Sequence, residues 1–240
     1  MSERDKIDGL KNLGRGFLLL VVASALSLVM TLTSQMMVGQ VRPTPTIPRT
    51  LLVQVLVIGF LGFLLLILYI VSWILRIIGW GGICRGVGKK FYCYTRILLI
   101  VLPVLGVAIM IGAAMLMAME IFTLGVPTTP IKPKGLEKWG GFFLLGAVLI
   151  TVAFLVEGVA LLDSSYVFAS KLLRNGAFLY IAAQVFSILT GVINQLLATP
   201  LEVATTALNV AGQILGLVSA LIVYWALRGV LSVEREGEGA

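Results

Sequence analysis

The chain has no histidine, only two cysteines, and charged residues at just 12% of its 240 positions. Without imidazole there is no His-ligated haem and no Ser-His-Asp or Cys-His machinery. Two thiols without histidine do not complete a four-ligand zinc site within one chain. No metal, no cofactor and no catalytic residue is therefore expected, and the chain reads as a non-enzyme. An average soluble domain is about 25% charged. Half that content leaves too little polarity to clothe a soluble protein of this size. Prolines are also rare inside apolar segments. Of the eight, only Pro103 falls well within one, so few kinks are expected.

Long apolar runs take up most of the chain. There are six, Phe17–Val38, Leu51–Leu75, Ile97–Ile121, Gly141–Leu162, Gly176–Leu197 and Ala207–Leu227, each of at least 21 residues. A helix rises about 1.5 Å per residue, so each can cross a hydrocarbon layer about 30 Å thick. The fold class that follows is all-α: a polytopic membrane protein with six transmembrane helices in one bundle, spanning residues 17–233. Met1–Gly16 reads as an interfacial helix, because Ile7, Leu10, Leu13 and Phe17 recur at spacings of three and four. Glu234–Ala240 reads as a disordered tail.

Orientation follows from Lys and Arg. With the N-terminus inside, 13 of the 18 basic residues fall in inner segments. The positive-inside rule then puts both termini in the cytoplasm. The net charge of +7 sits in short blocks between spans. None is both long and rich in aromatics, so the expected partners are membrane lipids, not nucleic acid. A membrane-protein partner or a second copy of the chain are further candidates.

The outer connections carry most of the prolines. Pro43, Pro45 and Pro48, then Pro127, Pro130 and Pro133, favour extended crossings over Gly39–Thr50 and Val126–Lys138. Thr199, Pro200 and Glu202 match a helix start. The inner segment Arg76–Arg96 is the most distinctive. Its five glycines fit neither nucleotide-binding spacing, and it reads as a flexible basic turn with Trp80, Tyr92 and Tyr94 anchored at the headgroups. Cys84 and Cys93 both lie in it and are expected as unpaired thiols, since a reducing cytoplasm disfavours disulfides outside hyperthermophiles.

Two carboxylates lie inside spans, Glu120 and Glu157. They differ in depth by roughly 20 Å, so they form no acid–base dyad. Glu120 is expected to reach water. Glu157 is the sharper candidate, because an ionisable group within a span is costly and marks function by default. The structural alternative is a helix–helix brace near the inner edge, with Lys171 and Arg174 as salt-bridge partners. Asn194, Asn209 and Gln213 complete the candidate set. Asn194 and Asn209 match in depth on antiparallel helices, and Gln213 lies near Thr190, so amide bonds between the last two helices are expected. Lys11–Leu28 also aligns with Lys171–Ile188 at an offset of 160. Chance among apolar residues competes there with a parallel repeat.

The helix entry Gly9-Leu10-Lys11-Asn12-Leu13-Gly14-Arg15-Gly16-Phe17, together with Lys171-Leu172-Leu173-Arg174-Asn175-Gly176, resembles a group of archaeal multi-span membrane proteins of unknown function. The resemblance implies an archaeal plasma membrane. It carries no activity and no site residue. Two functional classes follow for the chain: an accessory, assembly or lipid-interacting bundle, or a small transporter or channel using Glu157 and the polar residues of the last two helices. A transporter should show a polar cavity and broken helices near the midplane. An accessory bundle should show a dry core and an apolar flank.

Overall fold

The computed structural model describes residues 3–38, 49–124, 134–196 and 202–238. They form six helices and, among the described residues, no strand: α1 (Glu3–Val38), α2 (Arg49–Val87), α3 (Lys90–Leu124), α4 (Lys134–Val167), α5 (Lys171–Leu196) and α6 (Glu202–Glu238). All six are long and apolar enough to cross a membrane. The helices close into a ring in chain order, with α1 packed between α2 and α6. Of the neighbouring pairs, α2 and α3 touch least.

Every helix outruns its apolar stretch at one end of the bundle. We call this the basic end, where α1 starts, α6 stops and the α2–α3 and α4–α5 turns lie. Ion pairs tie these pieces together there: Lys6 with Glu234 at 2.5 Å and Lys89 with Asp163 at 3.1 Å. Helix α6 thus continues to Glu238, well into the segment expected to be disordered, and Glu234 helps to fix it to α1.

The segment Arg76–Arg96 is not a flexible turn. Helix α2 runs through it to Val87 and only Gly88 and Lys89 separate it from α3. Gly88 takes the left-handed conformation (φ 74°) and its N–H closes onto the Cys84 carbonyl at 3.0 Å, a helix-ending arrangement that suits glycine. The other glycines are packing residues. A Cβ at Gly82 would sit 2.6 Å from the Gly9 Cα, so α1 and α2 touch backbone to backbone. This close packing offsets the poor helix propensity of glycine, which composition alone reads as a turn.

The short turn also overturns the expectation of free thiols. It brings the last turn of α2 beside the first turn of α3, and Cys84 and Cys93 form a disulfide with Cα atoms 5.1 Å apart. Trp80 and Tyr92, expected at the headgroups, are instead fully buried and stacked with ring centroids 5.6 Å apart. Tyr94 is exposed. The apolar stripe of α1 also faces protein: Leu10, Leu13 and Phe17 are fully buried.

The α4–α5 joint is built from serines. Ser170 donates its N–H to the Ser165 carbonyl at 2.9 Å, and its Oγ accepts the Leu173 N–H at 3.2 Å as a helix cap. Between them Ala169 holds φ 48°. Leu13 and Leu173, Gly16 and Gly176, and Ala23 and Ala183 occupy matching buried positions on α1 and α5. The proline-rich crossings lie mainly outside the described residues, although Arg49–Thr50 and Lys134–Lys138 are already helical. The Thr199–Pro200 helix start lies outside them as well.

Candidate functional site

Glu157 occupies the centre of the bundle, at the level where the apolar runs end. It is 0% exposed, and both of its oxygens are engaged. Oε1 accepts from the Trp80 indole at 3.1 Å, and Oε2 accepts from Tyr180 at 3.0 Å and from the Arg76 guanidinium. Arg76 is itself only 2% exposed. A second bond from Arg76 reaches the Tyr180 oxygen at 3.0 Å. The rings of Phe17 and Phe154 flank the guanidinium at 5.5 and 5.0 Å, a cation–π setting that keeps water away. Arg76 Nε has no hydrogen-bond partner. One turn back on α2, Ser72 donates to the Gly16 carbonyl at 2.8 Å.

Glu157 is thus paired across the bundle with α2, not with Lys171 or Arg174 beside it. Helix α4 carries the carboxylate, α2 the guanidinium and indole, and α5 the phenol. The Trp80–Tyr92 stack leads on to a second cluster at the basic end, where Tyr92 donates to Asp163 at 2.6 Å and Lys89 pairs with the same carboxylate. Glu120 lies elsewhere, where it accepts from the Trp139 indole at 2.8 Å.

On the other side of the Arg76–Glu157 pair the bundle opens into a cleft. A cavity of about 610 Å³ lies between α1, α4, α5 and α6. On α5 its lining begins at Ala183 and Gln184, within about one turn of Tyr180. The reason is side-chain volume. The axis below carries Phe17, Arg76, Trp80, Phe154 and Tyr180, while the cavity wall carries Ala147, Ala183, Gly191, Gly212 and Gly216. Its polar wall consists of Thr31, Gln184, Ser187, Thr190, Asn209 and Gln213, with no charged lining residue among the described ones.

Of the four expected site residues, the structure brings Asn209 and Gln213 together in this cavity and leaves Glu157 beneath it, closed in. The Asn194 side chain lies outside the described residues. Gln213 bonds to Thr31 of α1 at 3.0 Å instead of linking the last two helices. Helix α1 wedges against α6 here, which brings Thr31 within reach of the amide. The Thr31 hydroxyl already donates to the Ser27 carbonyl at 3.0 Å, so it accepts from the Gln213 Nε2. The Gln213 Oε1 is left buried without a partner.

Arg76, Trp80, Tyr180 and Thr31 escape sequence reasoning. Arg76 looks like a topology charge at the end of a span. The signal against that was present: Ile77, Ile78 and Trp80 follow it, so the apolar character continues past the charge. No protein-family model, curated protein or solved structure matches the chain. The geometry of the site alone therefore carries its functional reading.

Proposed function

We propose that the chain is a non-enzymatic integral membrane protein of the accessory, assembly or lipid-interacting kind, with its basic end and both termini in the cytoplasm of an archaeal plasma membrane. One observation carries the first part. The single deep carboxylate, Glu157, has every oxygen engaged by Arg76, Trp80 and Tyr180, so it braces three helices and is not free to carry protons or cations. The absence of any mid-span break in the six helices, among the described residues, points the same way. For the orientation, the positive-inside count and the disulfide at the basic end are compatible where the cytoplasm tolerates disulfides, as in hyperthermophiles.

The cavity favours a second reading, a small transporter in which Asn209 and Gln213 line the path. Proton and cation flux into proteoliposomes separates the two. A brace gives wild type and Glu157→Gln alike no flux above empty vesicles, because neutral Gln keeps hydrogen bonds but does not titrate. A wild-type flux that vanishes in Glu157→Gln at unchanged Tm would falsify the accessory reading. Impermeant thiol labelling of cysteines introduced at Ser2 and Thr128, in a Cys84/Cys93-free background, tests the orientation. Labelling at Ser2 on intact cells, with none at Thr128, overturns it.

A further inference from the structure

Polar groups lining a half-open cleft in the apolar part of a bundle call for a partner, because hydroxyls and amides facing an apolar surrounding lose their hydrogen bonds to water. The wall of the 610 Å³ cavity has a definite chemical bias. Thr31 and Thr190 donate their hydroxyl hydrogens to the Ser27 and Phe186 carbonyls of their own helices, so they offer only lone pairs to the interior. Gln213 adds a buried amide oxygen with no partner. These acceptors stand beside the Gln184 and Asn209 amides and the Ser187 hydroxyl, which both donate and accept, so the wall suits hydroxyl groups. It also lacks a counter-charge, since the nearest ionic groups, Arg76 and Glu157, neutralise each other beneath the floor. An ion entering would lose hydration without compensation. The volume lies within the usual range of about 300–1,000 Å³ for small-ligand sites.

We infer that this cavity is a binding site for an uncharged, hydroxyl-rich group, a polyol or sugar, held by Thr31, Thr190, Asn209 and Gln213. The group comes either as a free solute or as the headgroup of a neutral glycolipid. The site serves either functional reading, and its test is separate from the flux measurement.

Two glycines make a clean test. Gly191 on α5 and Gly216 on α6 both line the cavity, and a Cβ at either meets nothing within 4 Å. Gly191→Leu and Gly216→Leu fill the space without a backbone clash, and each raises helix propensity. The wild type and both variants are placed in phosphatidylcholine nanodiscs and melted with glycerol, glucose, glucose 6-phosphate or added monoglucosyl diacylglycerol. A saturable rise in wild-type Tm is expected, and it is lost in the filled variants. A response to the glycolipid alone assigns the headgroup, and a response to glycerol or glucose assigns a free solute. The inference is overturned if no neutral probe shifts the wild type. It is equally overturned if the shift survives in whichever filled variant folds, or if glucose 6-phosphate acts as strongly as glucose.

Discussion

The two ends of the bundle are packed by different rules. At the basic end Leu10, Leu13, Trp80, Ile83, Tyr92 and Leu173 are all 0% exposed, and none of them lies in the six apolar runs. On the outward faces of the spans, by contrast, Phe60, Phe63 and Met115 are more than 60% exposed and Gly59 and Gly62 have nothing within 4 Å, while between α3 and α4 close contact is limited to small residues such as Gly106 and Gly146. Helix length explains the contrast. The 39 residues of α2 reach about 58 Å, nearly twice the thickness of a hydrocarbon layer. The helix extensions therefore stand in headgroups and water, where burying apolar surface is driven as in a soluble core. Within lipid that drive is absent between helices, and contact depends on close packing and hydrogen bonds. The result is a water-side cap with a dense core, joined to a looser membrane layer. The Arg76–Glu157 pair marks the junction, where a charge from each of two helices is withdrawn from both solvents.

Breaking that junction should have the largest effect. Arg76→Leu leaves Glu157 buried and unpaired, and losing one partner of a buried pair costs about 3–5 kcal/mol. The double variant Arg76→Leu/Glu157→Leu should recover at least half of the loss in denaturant titrations of detergent-solubilised protein. If single and double variants are equally unstable, the pair is not a unit and the cap is held by other means.

Glycine substitutions probe the two layers directly. Gly82→Leu drives a side chain into the Gly9 backbone and should cost about 3 kcal/mol, the upper end for overpacking. Gly62→Leu, in the loose layer, should stay within about 0.5 kcal/mol of wild type. Equal losses at the two positions would mean that the α2 face at Gly62 is covered as closely as the cap.

The disulfide comes next. It pins the seam between α2 and α3, the least packed of the ring, with help from Trp73, which donates to the Leu99 carbonyl at 2.8 Å. Closing so short a loop contributes about 2–3 kcal/mol by chain entropy. Cys84→Ser should lower stability by about that much and leave the paired Cys93 free. Thiol titration of the denatured protein before and after reductant checks the bond itself, and two free thiols beforehand would show that the seam is not pinned.

The membrane layer was legible in the sequence and the cap was not. Six apolar runs of sufficient length define the spans almost by themselves, since hydropathy is a local property. The cap depends on pairings between distant segments. Glycines at 79, 82 and 86 look like a flexible loop until Gly9 and Lys6 are seen against them. Trp80 and Tyr92 look like interfacial anchors until they stack on each other. Glu157 stood out by its cost, but its partner Arg76 was hidden because a basic residue at a span end already has an explanation. For the amides, the equal-depth pair Asn194 and Asn209 includes a side chain outside the described residues, and Gln213 was expected level with Thr190 of α5. Depth says nothing about which face an amide occupies, and Gln213 faces α1.

A small effect is expected at a cap joint, and it has the opposite sign. Ala169 closes α4 in the left-handed conformation at φ 48°, in the position where helices most often place glycine. An L-residue there loses about 1–2 kcal/mol to contact between its Cβ and the backbone. Glycine removes that contact but adds freedom to the unfolded chain, which takes back about 0.4–1 kcal/mol. Ala169→Gly should therefore stabilise the protein by about 0.5–1 kcal/mol, a small rise in Tm. The Ser170 to Ser165 bond and the Ser170 cap on α5 stay available, because neither uses the alanine side chain. Ala169→Val at the same position should destabilise, since a β-branched residue tolerates that backbone least. If glycine lowers Tm and valine leaves it unchanged, the left-handed turn is not what joins α4 to α5, and the cap's water-facing joints are looser than its core.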